Sequence, residues 1–344
     1  MHKALYSAGI IWIVLVLFAC ADRSSDSDLS TTAPSPINMV TGEHLFAIDA
    51  FGEHHAWIVG FDGTILHTSN GGEDWVVQVP PTEDDLYDVC FTNPHNGWIV
   101  GKHGTVFHTQ DGGKHWKAQQ RITEQRLFDV HFIDASMGWA VGTMGTILHT
   151  VDGGSTWTKQ GWDEDRYYNG VFFVDEYKGW VVGEYATIYH TENGGKTWVP
   201  QTCEGIQPIK PEKDFPPPPP NLYGVLFLDE NVGCATGMDG IVIKTEDGGN
   251  TWQRATPKAD FSLYQVTLRG KQGWVVGGQG SYLISSDGGT TWNRIEDKLG
   301  TNFWLRDVVF TDDLIGWIVG AAGTILKTDD GGNTWKKISG IFYE

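Results

Sequence analysis

Three features of the 344-residue sequence predict an all-β chain closed into a ring of seven four-stranded antiparallel sheets. One is composition: 44 Gly and 16 Trp, with no collagen period, mark a turn-dense architecture in which Trp recurs. Another is a repeat. The pattern Gly-Trp-x-Val-Gly-x-x-Gly-Thr, followed by Thr/Ser-x-Asp/Asn-Gly-Gly-x-x-Trp, returns seven times with local substitutions between residues 56 and 335. The last is the period. The closing tryptophans Trp75, Trp116, Trp157, Trp198, Trp252, Trp292 and Trp335 stand 41, 41, 41, 54, 40 and 43 residues apart, which is the spacing of four-stranded β-propeller blades.

Each unit divides into four strands. An apolar run comes first: LYDVCF (86–91), LFDVHF (127–132), NLYGVLF (221–227), LYQVTL (263–268) and LRDVVF (305–310). The Gly-Trp-x-Val-Gly segment is strand two, a tight turn follows at x-x-Gly-Thr, and TILHT-like segments form strand three. Glycine suits that turn because positive φ costs it little. The segment after the closing Trp is strand four, as in WVVQV (75–79) and WKKIS (335–339). Both faces of these strands are apolar, as expected for sheets sandwiched between neighbours. The first inner strand is placed near His44 and the last outer strand near Glu344, so all seven blades are contiguous. A closing strand from residues 36–42 is left open.

The hairpin between strands three and four carries the repeat's polar signature at Asn70, Asp111, Asp152, Asn193, Asp247, Asp287 and Asp330. A carboxylate or amide oxygen just before two glycines accepts backbone N–H bonds from the turn it opens. The closing Trp supplies an apolar plate. Asn in two copies implies that charge is not the point. The spacing resembles the Asp-box, or bacterial neuraminidase repeat.

Charge narrows the function. With 24 Lys+Arg against 43 Asp+Glu, the net charge is −19, which excludes a generic nucleic-acid binder. The N-terminus reads as an address. A basic start at His2 and Lys3 and an apolar run at 9–19 form a secretory signal peptide over residues 1–20, too short to span a bilayer. It ends Leu17-Phe18-Ala19-Cys20, which resembles a bacterial lipobox and makes Cys20 the expected lipidation site. Several acyl chains on one residue give stable anchoring. Residues 21–43 then form a Ser/Thr/Asp/Pro-rich tether. The remaining Cys90, Cys203 and Cys234 are an odd set that argues against a disulfide framework, and Cys234 fills a Trp slot as a small hydrophobe. Residues 201–221, with five prolines at 216–220, insert between blades four and five as a stiff spacer or docking arm.

Constellations that resemble active sites read as scaffold. His67, His108, His149 and His190 are one strand-three position in four blades, too far apart to share a metal ion. Asp88, Asp129 and Asp307 sit at equivalent points of strand one beside the channel, where Ala47, Gly170, Gly224 and Gln265 complete the row. They are expected to bond neighbouring backbone instead of acting as a glycosidase pair. No Arg-Ile-Pro motif and only eight arginines speak against a sialidase, and no catalytic residue, metal or cofactor is assigned. What remains is surface. The loops entering strand one and joining strands two and three are expected to share one rim. They place Lys102, His103, Arg126, Arg166, Tyr167, Tyr168, Tyr185, Phe303, Trp304 and Arg306 there as a partner-binding cluster, since Arg and aromatics anchor interfaces.

Seven such repeats behind a lipoprotein signal resemble the photosystem II stability/assembly factor family over residues 44–340. That resemblance implies a non-enzymatic seven-bladed propeller. Its photosynthetic members bind precursor protein and pigment-bearing intermediates on the lumenal side of the thylakoid. It implies a protein partner, a membrane protein or assembly intermediate, while the lipid expected at Cys20 attaches the chain to the membrane at the cell envelope. Ala21 after Cys20 points to the outer membrane under the enterobacterial sorting pattern. The alternative reading is a carbohydrate-binding or sialidase/glycosidase-like Asp-box propeller with a glycan partner.

Overall fold

The computed structural model describes residues 43–203, 206, 218–255, 259–295 and 299–339. The expected signal peptide, Cys20, the tether up to residue 42, any closing strand from 36–42 and Pro216–Pro217 lie outside the described residues. The described chain forms seven four-stranded antiparallel sheets, each in sequential order from inner to outer strand. The seven inner strands are Leu45–Phe51, Leu86–Phe91, Leu127–Phe132, Tyr168–Phe173, Leu222–Phe227, Leu263–Arg269 and Leu305–Phe310. They pack side by side in succession, and the inner strand of blade 7 packs on that of blade 1. The ring is a seven-bladed β-propeller, as expected. Among the described residues no strand is exchanged between blades.

The core is not central but divided among seven seams, one between each pair of successive blades. The seam of blades 2 and 3 shows why Trp recurs. Trp98 of strand two stacks on Phe132 of the next blade at 3.6 Å between centroids, and His108 covers its other face at 4.6 Å. The closing Trp157 meets Phe132 edge-on at 5.9 Å. The Trp98 indole N–H donates across the seam to the Gly153 carbonyl at 2.9 Å. Trp57, Trp139, Trp180 and Trp274 make the same reach to Gly112, Gly194, Gly248 and Gly331. Strand two thus clamps the Asp-box turn of the following blade, burying a side chain whose loss costs ~3–5 kcal/mol in a core.

Blades 5 and 7 vary this clamp. Cys234 is fully buried in place of Trp, as expected, and Trp292 of the following hairpin is itself fully buried, donating to the Gly289 carbonyl at 2.9 Å. Blade 7 closes on blade 1 with Lys327, which lies 5.1 Å over the Trp317 ring and donates to the Gly71 carbonyl at 2.8 Å. Asp307 adds a second closing bond, accepting from Ile48 N at 2.8 Å. Cys90 and Cys234 are free thiols, and Cys203 Sγ donates to the Trp252 carbonyl at 3.3 Å.

All seven Asp-box oxygens accept the expected backbone N–H. Asp152 Oδ1 takes that of Thr156 at 2.8 Å, and Asn70 and Asn193 take those of Asp74 and Thr197 at 3.0 and 2.9 Å. The preceding Thr or Ser completes the knot: Thr150 Oγ1 donates to Asp152 Oδ1 at 2.9 Å and accepts from Gly154 N at 2.9 Å. The turn between strands two and three also differs from simple expectation. Two successive residues take left-handed φ, as His103 (φ 56) and Gly104 (φ 68) do in blade 2. A Cβ on Gly104 would lie 1.9 Å from the Thr123 carbonyl. Blade 4 alone places Ala, Ala186 (φ 55), at the glycine position.

Candidate functional site

The two ends of the ring differ in what their loops do. At one end, the Asp-box turns are tied to the hairpins between strands one and two, for example by Gly153 N to the Ser136 carbonyl at 2.7 Å. At the other, each turn between strands two and three is tied to the entry of strand one. Thr143 N donates to Arg126 O at 3.0 Å and Ala321 N to Trp304 O at 3.0 Å. The expected shared rim therefore exists. It is laced between blades as well, by Gly145 N to Arg166 O at 2.8 Å and Gly280 N to Phe303 O at 2.8 Å.

On this second rim all seven inner strands slip register at their second residue. A bulge of this kind frees one side chain from the ladder and re-aims it. The freed residues are Phe46, Tyr87, Phe128, Asn169, Tyr223, Tyr264 and Arg306, five of them aromatic and all half-buried. They link around the mouth of the channel. Phe46 meets Tyr87 at 5.6 Å, Tyr87 meets Phe128 at 5.6 Å, and Phe128 meets Tyr167 at 6.1 Å. Across the ring Tyr223 meets Tyr264 at 5.5 Å, and the Arg306 guanidinium lies 5.2 Å over the Tyr264 ring. Trp304 stacks on Phe46 at 6.1 Å.

The cluster expected from the sequence overlaps this ring in part. Arg306, Trp304 and Tyr167 belong to it, and Arg126 acts electrostatically on Tyr87. Burial, then the charge of Asp85, raises the Tyr87 hydroxyl above its ordinary range. Tyr185 is 50% exposed and reaches the insertion through its N–H, which donates to Asn221 Oδ1 at 3.2 Å. Lys102 and Phe303 lie half-buried on the same rim. Two of these side chains are already partnered: His103 with Asp84 at 3.0 Å, and Arg166 with Thr187 Oγ1 at 2.9 Å and Glu164 at 4.0 Å. Lys102, Arg126 and Arg306 form no ion pair among the described residues.

Tyr168 requires correction. It is fully buried, takes the place that Leu86 and Leu127 hold in their strands, and bonds through its hydroxyl to Glu164. It is core, not rim. Phe46, Tyr87, Phe128, Tyr223 and Tyr264 were not singled out by sequence, because only the bulge distinguishes them from ordinary alternating strand residues.

Below the mouth, acids strap the blades together. Asp49, Asp88, Asp129 and Asp307 each accept a backbone N–H of the next blade, from Phe91, Val130, Val171 and Ile48 at 2.6–2.9 Å. Asp49 lies two residues beyond the row position that Ala47 holds in blade 1 and makes the same kind of strap from there. Burial pushes its carboxyl up to about 7, and that of Asp307 up to about 6. Burial and the charge of Asp129 hold Asp88 well above the carboxylate range. These carboxyls are engaged in holding the ring. The strand-three histidines are stacked on Trp57, Trp98, Trp139 and Trp180. Among the described residues no three His, Cys, Asp or Glu side chains are grouped to hold a metal ion.

Comparison with known proteins agrees with this architecture. The family model for photosynthesis system II assembly factor YCF48 matches residues 75–126, 117–213, 217–302 and 296–342. Among solved structures the chain is similar to YCF48 bound to D1 peptide, at 22% identity and TM-score 0.66, covering 86% of this chain and 96% of that one. It is similar to YCF48 from Cyanidioschyzon merolae at 20% identity and TM-score 0.67, covering 87% and 99%. The fold also matches a GH74 xyloglucanase from Xanthomonas campestris at 10% identity and TM-score 0.70, covering 88% of this chain but 55% of the enzyme. No curated protein matches the sequence. With the family model spanning most of the propeller, the chain belongs to the photosynthesis system II assembly factor YCF48 family.

Proposed function

We propose that the chain is a non-enzymatic adaptor that binds a protein partner through the aromatic–arginine mouth of its channel. The observation that carries this reading is the ring of seven bulge residues. Every blade spends its one unladdered inner position there, and five of those positions hold aromatics half exposed to solvent. Arg306 and Arg126 add cations to a molecule of charge −19, a combination suited to anchoring a polypeptide. The family supports it, since a related propeller is known bound to D1 peptide. The catalytic alternative lacks support: the channel carboxyls bond backbone, and the xyloglucanase likeness is one of fold alone.

In this reading Cys20 carries lipid, residues 21–43 form the tether, and the propeller stands at the cell envelope beside a membrane protein or assembly intermediate. In a photosynthetic host that intermediate is one of the reaction centre. The test is recovery of a partner from solubilised membranes by full-length chain and by an Arg126→Glu/Arg166→Glu/Arg306→Glu variant. Loss of recovery from a chain that still unfolds cooperatively, with only a small drop in melting temperature, is expected. Equal recovery removes the mouth as the binding face. Mass spectrometry of the processed chain tests Cys20: a mature N-terminus at Cys20 with acyl mass is expected, and cleavage elsewhere refutes the anchor.

A further inference from the structure

The opposite, Asp-box end of the ring has one gap. Between equivalent paired residues of strands one and two, such as Phe227 and Gly233 of blade 5 or Phe310 and Gly316 of blade 7, six blades place five residues, whereas blade 6 places four between Leu268 and Gly273. The shorter hairpin opens a cleft of about 810 Å³ floored by Trp274 and Ile284. That volume lies within the ~300–1,000 Å³ of ligand-binding clefts. Its flanks are apolar and exposed: Leu228 from blade 5 is 39% accessible and Leu314 from blade 7 is 57% accessible.

The charge pattern identifies the occupant. Other hairpin tips carry acids: Asp134 in blade 3, Asp175 and Glu176 in blade 4, Asp229 and Glu230 in blade 5, Asp312 and Asp313 in blade 7, with Lys178 of blade 4 paired to Glu230. Blade 6 inverts the sign with Arg269 and Lys271. Arg269 is steadied by the Phe310 carbonyl at 3.4 Å and by Asp313 at 3.5 Å. Lys271 has no ion pair among the described residues. Asp313 and Asp330 also line the cleft, but Asp313 is paired with Arg269 and both oxygens of Asp330 are bonded by Thr328 and Thr334, so Lys271 is the cation left to meet an acidic group there, a charge that fixes register more than affinity.

We propose that the blade 6 cleft is a second docking site, independent of the channel mouth, for an extended polypeptide segment that presents leucine-sized side chains beside a carboxylate. The apolar side chains lie between Leu228 and Leu314, and the carboxylate meets Lys271. With a mouth at one end and a cleft at the other, the propeller bridges two polypeptides.

The test is fluorescence polarisation of the full chain with two labelled peptides that share one leucine core, flanked either by glutamates or by lysines. Saturable binding of the glutamate-flanked peptide is expected, weakened about tenfold by Lys271→Glu and by Leu314→Asp. Lys114→Glu, an equal charge change at an exposed site outside the cleft, should leave it unchanged. Any of three results overturns the proposal: no saturable binding, equal or tighter binding of the lysine-flanked peptide, or equal weakening by Lys114→Glu. Circular dichroism melts of each variant establish that the fold is intact.

Discussion

The two ends of this propeller are built from the same seven repeats yet obey different constraints. At the Asp-box end the polar groups of each turn are committed. A Thr or Ser hydroxyl, an Asp or Asn oxygen and two glycine N–H groups close each turn, and in five seams an indole N–H pins that turn from the preceding blade. At the channel mouth a bulge recurs in every blade, but its residue varies among Phe, Tyr, Asn and Arg. Repetition preserves backbone geometry where hydrogen bonds demand particular residues. Where the backbone releases a side chain, its identity is free to serve binding. The comparison predicts that substitutions in the Asp-box turns and the clamps that hold them act on stability, and those at the mouth on partner affinity.

The largest effect belongs to the clamp. Trp98→Ala removes a fully buried indole with contacts on both faces, and should cost ~3–5 kcal/mol in urea unfolding. A loss below 1 kcal/mol, by the same ~3–5 kcal/mol yardstick, would show that the seams do not hold the ring. Next is the knot of the Asp-box. Thr150→Val leaves Gly154 N without its acceptor, a loss of about 2 kcal/mol. Asp152→Asn, which keeps the accepting oxygen as Asn70 and Asn193 do, should be nearly silent.

The acids of the two regions respond to pH in opposite directions. The Asp49 and Asp307 carboxyls, raised to about 7 and about 6, have folded pKa values above the unfolded value near ~4. Their contribution is full below pH ~4 and is lost as pH rises through 6–7. Asp287 and Asp330 are depressed to about 2, chiefly by the hydroxyl and N–H bonds of Thr291 and Thr334. Their contribution is present above pH ~4 and is lost as pH falls through about 2. Stability measured by unfolding from pH 2 to 8 should therefore peak between the two limbs. Asp49→Asn should flatten the alkaline limb, by an amount on the order of 2 kcal/mol; an unaltered limb would place the channel acids outside the stability balance.

Smaller effects sharpen the contrast. Ala186→Gly relieves a left-handed alanine at φ 55 and should stabilise by about 1 kcal/mol in the same assay. Arg306→Gln gives up one cation–π contact at 5.2 Å, costing only ~0.5–1 kcal/mol while weakening partner binding. Should Arg306→Gln destabilise as strongly as Trp98→Ala, the division between scaffold and binding end would fail.

Much of the fold was legible because its markers answer backbone demands. Glycine stands where a Cβ would strike a carbonyl, as at Gly104, and the Trp spacing counts blades directly. The inner strands at 86–91, 127–132 and 305–310 have the expected bounds. The site was legible only in part. Arg306, Trp304 and Tyr167 stood out as loop aromatics and arginine, but Tyr87 looked like any residue of an alternating strand until the bulge released it. Tyr168 was misplaced because a tyrosine in a Leu position looks like surface, and a one-residue offset reverses the face a strand residue occupies. The glutamines Gln78 and Gln201, which accept from Trp116 and Trp252 and donate to Gly112 and Gly248, were not recognised, since no pattern within one repeat shows a contact with the next.

The most direct test of the central claim is site-specific photocrosslinking of the full chain in its native membranes. One photoreactive side chain replaces Tyr264 at the mouth; another replaces Val151, 60% exposed on an Asp-box turn of blade 3. The account predicts a discrete crosslinked polypeptide from position 264 and none from position 151. A crosslink from 151 with none from 264 would contradict it.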